Sequence, residues 1–236
     1  SRRGEVVLRA HASSAQRPGS AFVAMHWGRN MLSNSGANAL TAGQLDPYSR
    51  QPELKHAAIQ MTRADLPHQA LLLRTEASDE AAQQNTLQRM EALAPLLARF
   101  AYASLAMAGR DRPALVLRIA HDAPIPDAWL AELDHLCGLD HPACIVYRDA
   151  RRDITKRALI EDGLLVGMRL TGETAAASWL RRALNSAARR SCPAIRSSRS
   201  AIRRSRRSRL SRVSACRRSR SLCKRSRSVV RRAWAA

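Results

Sequence analysis

Large side chains are scarce: two Phe, three Tyr and four Trp make up 4% of 236 residues. A core must then be assembled mainly from Ala and Leu, which favours small, Ala-rich helices over an aromatic-anchored interior. Cysteine is sparse and odd in number, with Cys137 and Cys144 in the body and Cys192, Cys216 and Cys223 later. Five thiols do not make a closed disulfide framework, and a reducing, cytoplasmic compartment is the expectation. No apolar run approaches the ~18 residues that a membrane-crossing helix needs, and no secretory signal pattern opens the chain. Acidic residues are missing altogether from residues 181–236.

That last absence locates the charge. The formal net charge is +21, yet residues 1–180 hold 20 of the 40 Lys and Arg and all 19 Asp and Glu, a balance of +1. Residues 181–236 hold the other 20 bases and carry +20. The body therefore reads as a near-neutral soluble unit without a basic groove, and the attraction to polyanions belongs to the tail.

Residues 5–11 and 20–26 are short apolar or β-branched runs separated by Gln16-Arg17-Pro18-Gly19, a turn cluster, and are expected as strands. A long polar loop follows over 28–51, then a strand candidate over 56–61. From Ser78, an N-cap candidate followed by Asp79 and Glu80, the apolar positions Leu87, Met90, Leu93, Leu96 and Leu97 recur at helical spacing, with Pro95 dividing the helix. Residues 114–120 predict a buried strand, 126–136 a helix with Pro in its first turn, and 144–147 a strand. Asp162-Gly163 between 154–161 and 164–171 is the strongest hairpin signal in the chain, since a type I′ turn needs positive φ. A helix is expected over 173–185, and beyond about 188 the Arg/Ser repeats remove all periodicity.

Six short motifs occur in order over the first sixty residues: Gly4-Glu5, Pro18-Gly19, Phe22 through His26-Trp27, Asn38-Ala39-Leu40-Thr41, Asp46-Pro47-Tyr48-Ser49 and Pro52-Glu53-Leu54-Lys55. Together they resemble the end of the molybdopterin-dinucleotide-binding domain of bacterial nitrate reductases and related formate dehydrogenases; Ala24 stands where that family usually has Pro. An ordered set of this kind is far more specific than any one member. Residues 144–184, with Tyr147, Asp149, the Asp-Gly hairpin and Trp179-Leu180, resemble the extension that follows this domain in the assimilatory type.

The resemblance implies an α+β fold: a partial β-barrel-like molybdopterin-dinucleotide-binding domain over 1–62, a small α/β extension over 63–188 and a disordered tail over 189–236. It implies the C-terminal part of a longer enzyme that reduces nitrate to nitrite on molybdenum held by bis-molybdopterin guanine dinucleotide. Asn38 and Lys55 are carried over as cofactor contacts, an amide and a cation for a pyrophosphate-bearing ligand. His26 and Trp27 are carried over as the strand end facing the pterin. No catalytic residue and no metal ligand is expected in this chain. A 4Fe-4S cluster belongs to the N-terminal part of such an enzyme, and the partners implied are the remainder of the catalytic chain and an electron donor.

Two further features invite other readings. Asp134, His135, Cys137, Asp140, His141 and Cys144 lie within eleven residues, but His135 and Cys137 are two apart on a predicted helix and face different ways. A helix end and turn with a buried thiol is favoured over a zinc site. The tail, with no Cys-x-Cys or Cys-x-x-Cys spacing for a cluster, fits either an Arg/Ser-rich nucleic-acid-binding arm or an out-of-frame translation of a GC-rich gene. The second is preferred, which leaves only non-specific attraction to nucleic acid.

Overall fold

The structure, a computed structural model, describes residues 1–24, 26–52, 57–76, 81–109 and 112–177. These fall almost wholly within the first of two units, Ser1–Thr174 and Ala175–Ala236. Six strands form one sheet: β1 (His68–Thr75), β2 (Tyr102–Ala108), β3 (Ala114–His121), β4 (Ile145–Asp149), β5 (Ile154–Glu161) and β6 (Leu164–Thr171). Their order is β2-β3-β1-β6-β5-β4, and every neighbouring pair is antiparallel. The helices are α1 (Ala82–Leu93) and α2 (Asp127–Leu136), with 3-10 segments at Ala37–Leu40 and Ala94–Arg99. Among the described residues no helix is long and apolar enough to cross a membrane.

The helices pack on one face of the sheet. Leu72 of β1 lies opposite Leu117 of β3, which lies opposite Leu105 of β2, and this row meets Leu93, Leu97, Leu130 and Leu133 in one cluster. The opposite face is buried too, through Leu71, Leu73, Val116, Met168 and Leu170. Burial on both faces explains the unbroken Leu71-Leu72-Leu73 run in the central strand, where a sheet with one wet face would alternate.

The local chemistry sets the ends of the elements. Pro95, with no N–H to donate, stands where α1 gives way to the tighter Ala94–Arg99 turn. At the end of α2, Leu139 N–H donates to Asp134 O at 2.8 Å and Gly138 N–H to His135 O at 3.0 Å, with Gly138 at φ +64°. This paired closure needs a left-handed residue that glycine supplies without strain. Asp162 and Gly163, at φ +50° and +80°, make the expected turn of the β5–β6 hairpin.

Several expectations are corrected. The described residues of 5–11, 20–26 and 56–61 form no strand, and the sheet does not close into a barrel. A strand exists only with a ladder partner, and the described residues of 1–62 contribute two isolated bridges, Leu32 to Ser104 and Leu45 to Pro52. The described part of the module after residue 63 is antiparallel α+β, one of the two forms, α/β or α+β, that its alternating elements suggest, and holds no parallel pair. Two strands, β1 and β2, are additional to those the sequence predicts. Leu87 is exposed, and Thr86 takes the inward position, its hydroxyl donating to Ala82 O at 2.8 Å. Ser78, Asp79 and Glu80 lie outside the described residues, as does the 173–185 helix beyond 177.

Buried charge ties α2 to the sheet. Asp134, 2% exposed, accepts from Arg169 Nε at 2.7 Å and Nη2 at 3.0 Å, a two-point pair. Arg157 Nε lies 3.1 Å from the same carboxylate without hydrogen-bond geometry, while its Nη1 donates to Leu139 O.

Candidate functional site

The loop from Trp27 to Thr41 is shaped by one glycine. Gly36 has φ +79°, and a Cβ there would stand 2.3 Å from the Trp27 carbonyl oxygen. Any other residue is therefore excluded both by conformation and by space. The close approach lets Ala37 N–H donate to Trp27 O at 3.2 Å, so the short Ala37–Leu40 turn is seated directly on the half-buried Trp27. Asn34 locks the corner: its amide donates to Val7 O at 2.9 Å and its Oδ1 accepts from Gly36 N–H at 3.1 Å. A Cβ at Gly4 would meet Ala39 O at 2.6 Å, so the first residues of the chain pass tightly against this turn.

Asn38 is exposed on that turn. Its backbone carbonyl accepts from Thr41 N–H and from the Thr41 hydroxyl at 3.0 Å, while its side-chain amide makes no hydrogen bond among the described residues. The amide is thus a free donor and acceptor on a fixed backbone. His26 is exposed next to Trp27. The structure brings Trp27 and the Asn38 turn together, and Lys55 lies outside the described residues. Gly36 and Asn34 are the shaping residues that the motif reading passed over; the signal for Gly36 was its place two residues before Asn38 in a long loop.

The Asp46-Pro47-Tyr48-Ser49 motif makes a closed turn. Asp46 Oδ1 accepts from Ser49 N–H at 2.7 Å, from the Ser49 hydroxyl at 3.0 Å and from Tyr48 N–H at 3.0 Å. These donors, the Ser49 N–H foremost, hold the Asp46 carboxyl below its ordinary pKa. Asp46 N–H donates to Gln51 O at 2.9 Å, which closes the turn at its base.

A cofactor with a pterin, a pyrophosphate and a nucleoside needs backbone and amide donors on a rigid loop that approaches closely. The free Asn38 amide and the glycine-built contact of its turn with Trp27 fit that need in part; the expected phosphate-neutralising cation, Lys55, is the piece not described.

Among the described residues, no group of three His, Cys, Asp or Glu side chains is placed to grip an ion, and the carboxylates and histidines of the cluster after Leu133 have other partners. Asp134 is consumed by arginines, His135 Nδ1 is 2.7 Å from Asp140 Oδ2, and Cys137 is buried, with desolvation pushing its pKa up to about 12. The helix-end reading holds there.

Residues 1–58 match the family described as the Molydopterin dinucleotide binding domain. Over 62 residues the chain is 42% identical to a nitrate reductase of Synechocystis sp., a stretch that covers 26% of this chain and 9% of that protein. Over 57 residues it is 41% identical to a nitrate reductase of Klebsiella oxytoca, covering 24% of this chain and 7% of that protein. The chain thus spans less than a tenth of the length of these curated relatives. No solved structure matches it. The matches support a molybdopterin-type oxidoreductase as the setting of the N-terminal segment.

Proposed function

We propose that residues 1–62 supply the closing part of a molybdopterin guanine dinucleotide site in a cytoplasmic nitrate reductase of the assimilatory type, and that the chain alone is inactive. The reading is carried by the coincidence of the matched segment with the loop in which Gly36 lets Ala37 N–H bond the Trp27 carbonyl and the neighbouring Asn38 keeps its side-chain amide free. Asn38 hydrogen-bonds the cofactor, Lys55 offsets phosphate charge, and His26 and Trp27 line the approach to the pterin. When bound, bis-molybdopterin guanine dinucleotide supplies the molybdenum at which nitrate is reduced by two electrons to nitrite. The rest of the catalytic chain, with its 4Fe-4S cluster, and an electron donor are the partners. Residues 189–236 are read as an out-of-frame translation, which the other two frames of the gene would test.

The experiment is a graft. Residues 1–62 replace the matching stretch of the Synechocystis nitrate reductase, and bound molybdenum and nitrate reduction are measured. The expected result is a loaded, active chimera in which Asn38→Ala and Lys55→Ala each lower cofactor retention about tenfold, the worth of one charge-assisted or well-placed hydrogen bond. A folded chimera without cofactor, or one indifferent to both substitutions, overturns the proposal.

A further inference from the structure

The free amide of Asn38 can be aimed only by the backbone that carries it, and that backbone is held from both sides. On the near side Gly36 N–H donates to Asn34 Oδ1 at 3.1 Å, while Gly36 O accepts from Ala39 N–H at 3.2 Å. Gly36 thereby passes the hold of Asn34 across Asn38 to Ala39. Asn34 is itself anchored, because its Nδ2 donates at 2.9 Å to the carbonyl of Val7, 27 residues away in sequence. One half-buried side chain therefore spends both halves of its amide on backbone and ties the opening segment to the turn.

On the far side the opening segment meets the turn again. A Cβ on Gly4 would stand 2.6 Å from Ala39 O and 3.3 Å from Ala39 Cβ. Gly4 is not among the residues with positive φ, so its backbone is open to any residue type. What the place demands is room, since a methyl group there would push the Ala39 peptide aside. The path of residues 4–7 thus fixes the turn at two points, through Asn34 before Asn38 and through Ala39 after it. A ligand contact retains most of its worth when the donor needs no ordering on binding.

We infer that Asn34 and Gly4 are positioning residues of the dinucleotide site: they hold Asn38 in the orientation that bonds the cofactor and make no bond to the cofactor themselves. The inference rests on the cofactor reading of Asn38.

The test has two arms. In the full chain, amide hydrogen exchange followed by NMR is expected to quicken at Gly36, Ala37 and Ala39 by about tenfold or more in Asn34→Ala, with Leu72 and Leu117 in the sheet unchanged. Equal quickening in the sheet overturns the local role. In the Synechocystis chimera, Asn34→Ala and Gly4→Ala are each expected to lower molybdenum retention by about threefold to tenfold, and no further than Asn38→Ala does. Each is then combined with Asn38→Ala. The double variants should match Asn38→Ala within about twofold, because a residue that acts through Asn38 has nothing left to position. A residue that merely supports the fold would add its own loss, so additive losses overturn the inference. Gly4→Ala removes no hydrogen-bonding group and decides if Asn34→Ala fails to fold. Full retention by either single variant beside a depleted Asn38→Ala overturns the inference and leaves the cofactor reading standing. An Asn38→Ala chimera as loaded as its parent removes that reading, and the inference with it.

Discussion

Residues 1–62 and the sheet that follows are built on opposite principles. In the first region the described buried residues are Leu32, Gly36 and Ala37, while Phe22 and Tyr48 are 80% and 94% exposed. In the second, the central strands β1, β3 and β6 of a six-stranded sheet are buried on both faces and the buried leucines touch across β1, β2, β3 and two helices. The first region has the recognisable motifs, the second the core. Under the proposed reading, the first region meets a ligand and the rest of a domain and so keeps its order of motifs without burying its own side chains; a self-supporting sheet does the reverse.

The comparison predicts where stability resides. Asp134→Ala leaves the Arg169 guanidinium buried without its two-point partner and should cost about 3–5 kcal/mol, read from urea unfolding of the full chain. A loss under about 1 kcal/mol would mean that the sheet does not depend on this pair. Gly163→Ala places a methyl group on a residue at φ +80° in the β5–β6 turn, and about 1 kcal/mol should be lost. Phe22→Ser and Tyr48→Ser should change unfolding by no more than about 0.5 kcal/mol, as for exposed positions generally. Larger effects there would erase the contrast, because they would show that residues 1–62 bury these rings in solution.

How much was legible follows the same division. The β5–β6 hairpin could be read to its ends because Asp162-Gly163 is a local signal that needs no tertiary help. The Pro95 break and the strand at Ala114–His121 were legible for similar reasons. β1 and β2 were not: Leu71-Leu72-Leu73 shows no alternation, and Tyr102–Ala108 is Ala-rich with weak β propensity, so both become strands through their neighbours. The runs at 5–11 and 20–26 have the composition of strands without ladder partners among the described residues. At the candidate site, Asn38, His26 and Trp27 came from the motif order, whereas the need for Gly36 appears only once the Trp27 carbonyl is seen beneath it.

The isolated bridge at Leu32 carries a mechanical consequence. Ser33 N–H donates to Ala103 O at 3.0 Å, Ala103 N–H to the Ser33 hydroxyl at 2.8 Å, and Leu105 N–H to Met31 O at 2.8 Å. These three bonds rivet the weakly buried region to the outermost strand of the sheet, a few residues before Gly36. Force applied to the Asn38 turn is thereby delivered to β2, so the loop is carried as a bracket on a rigid plate and keeps its bearing although its own interior is nearly empty.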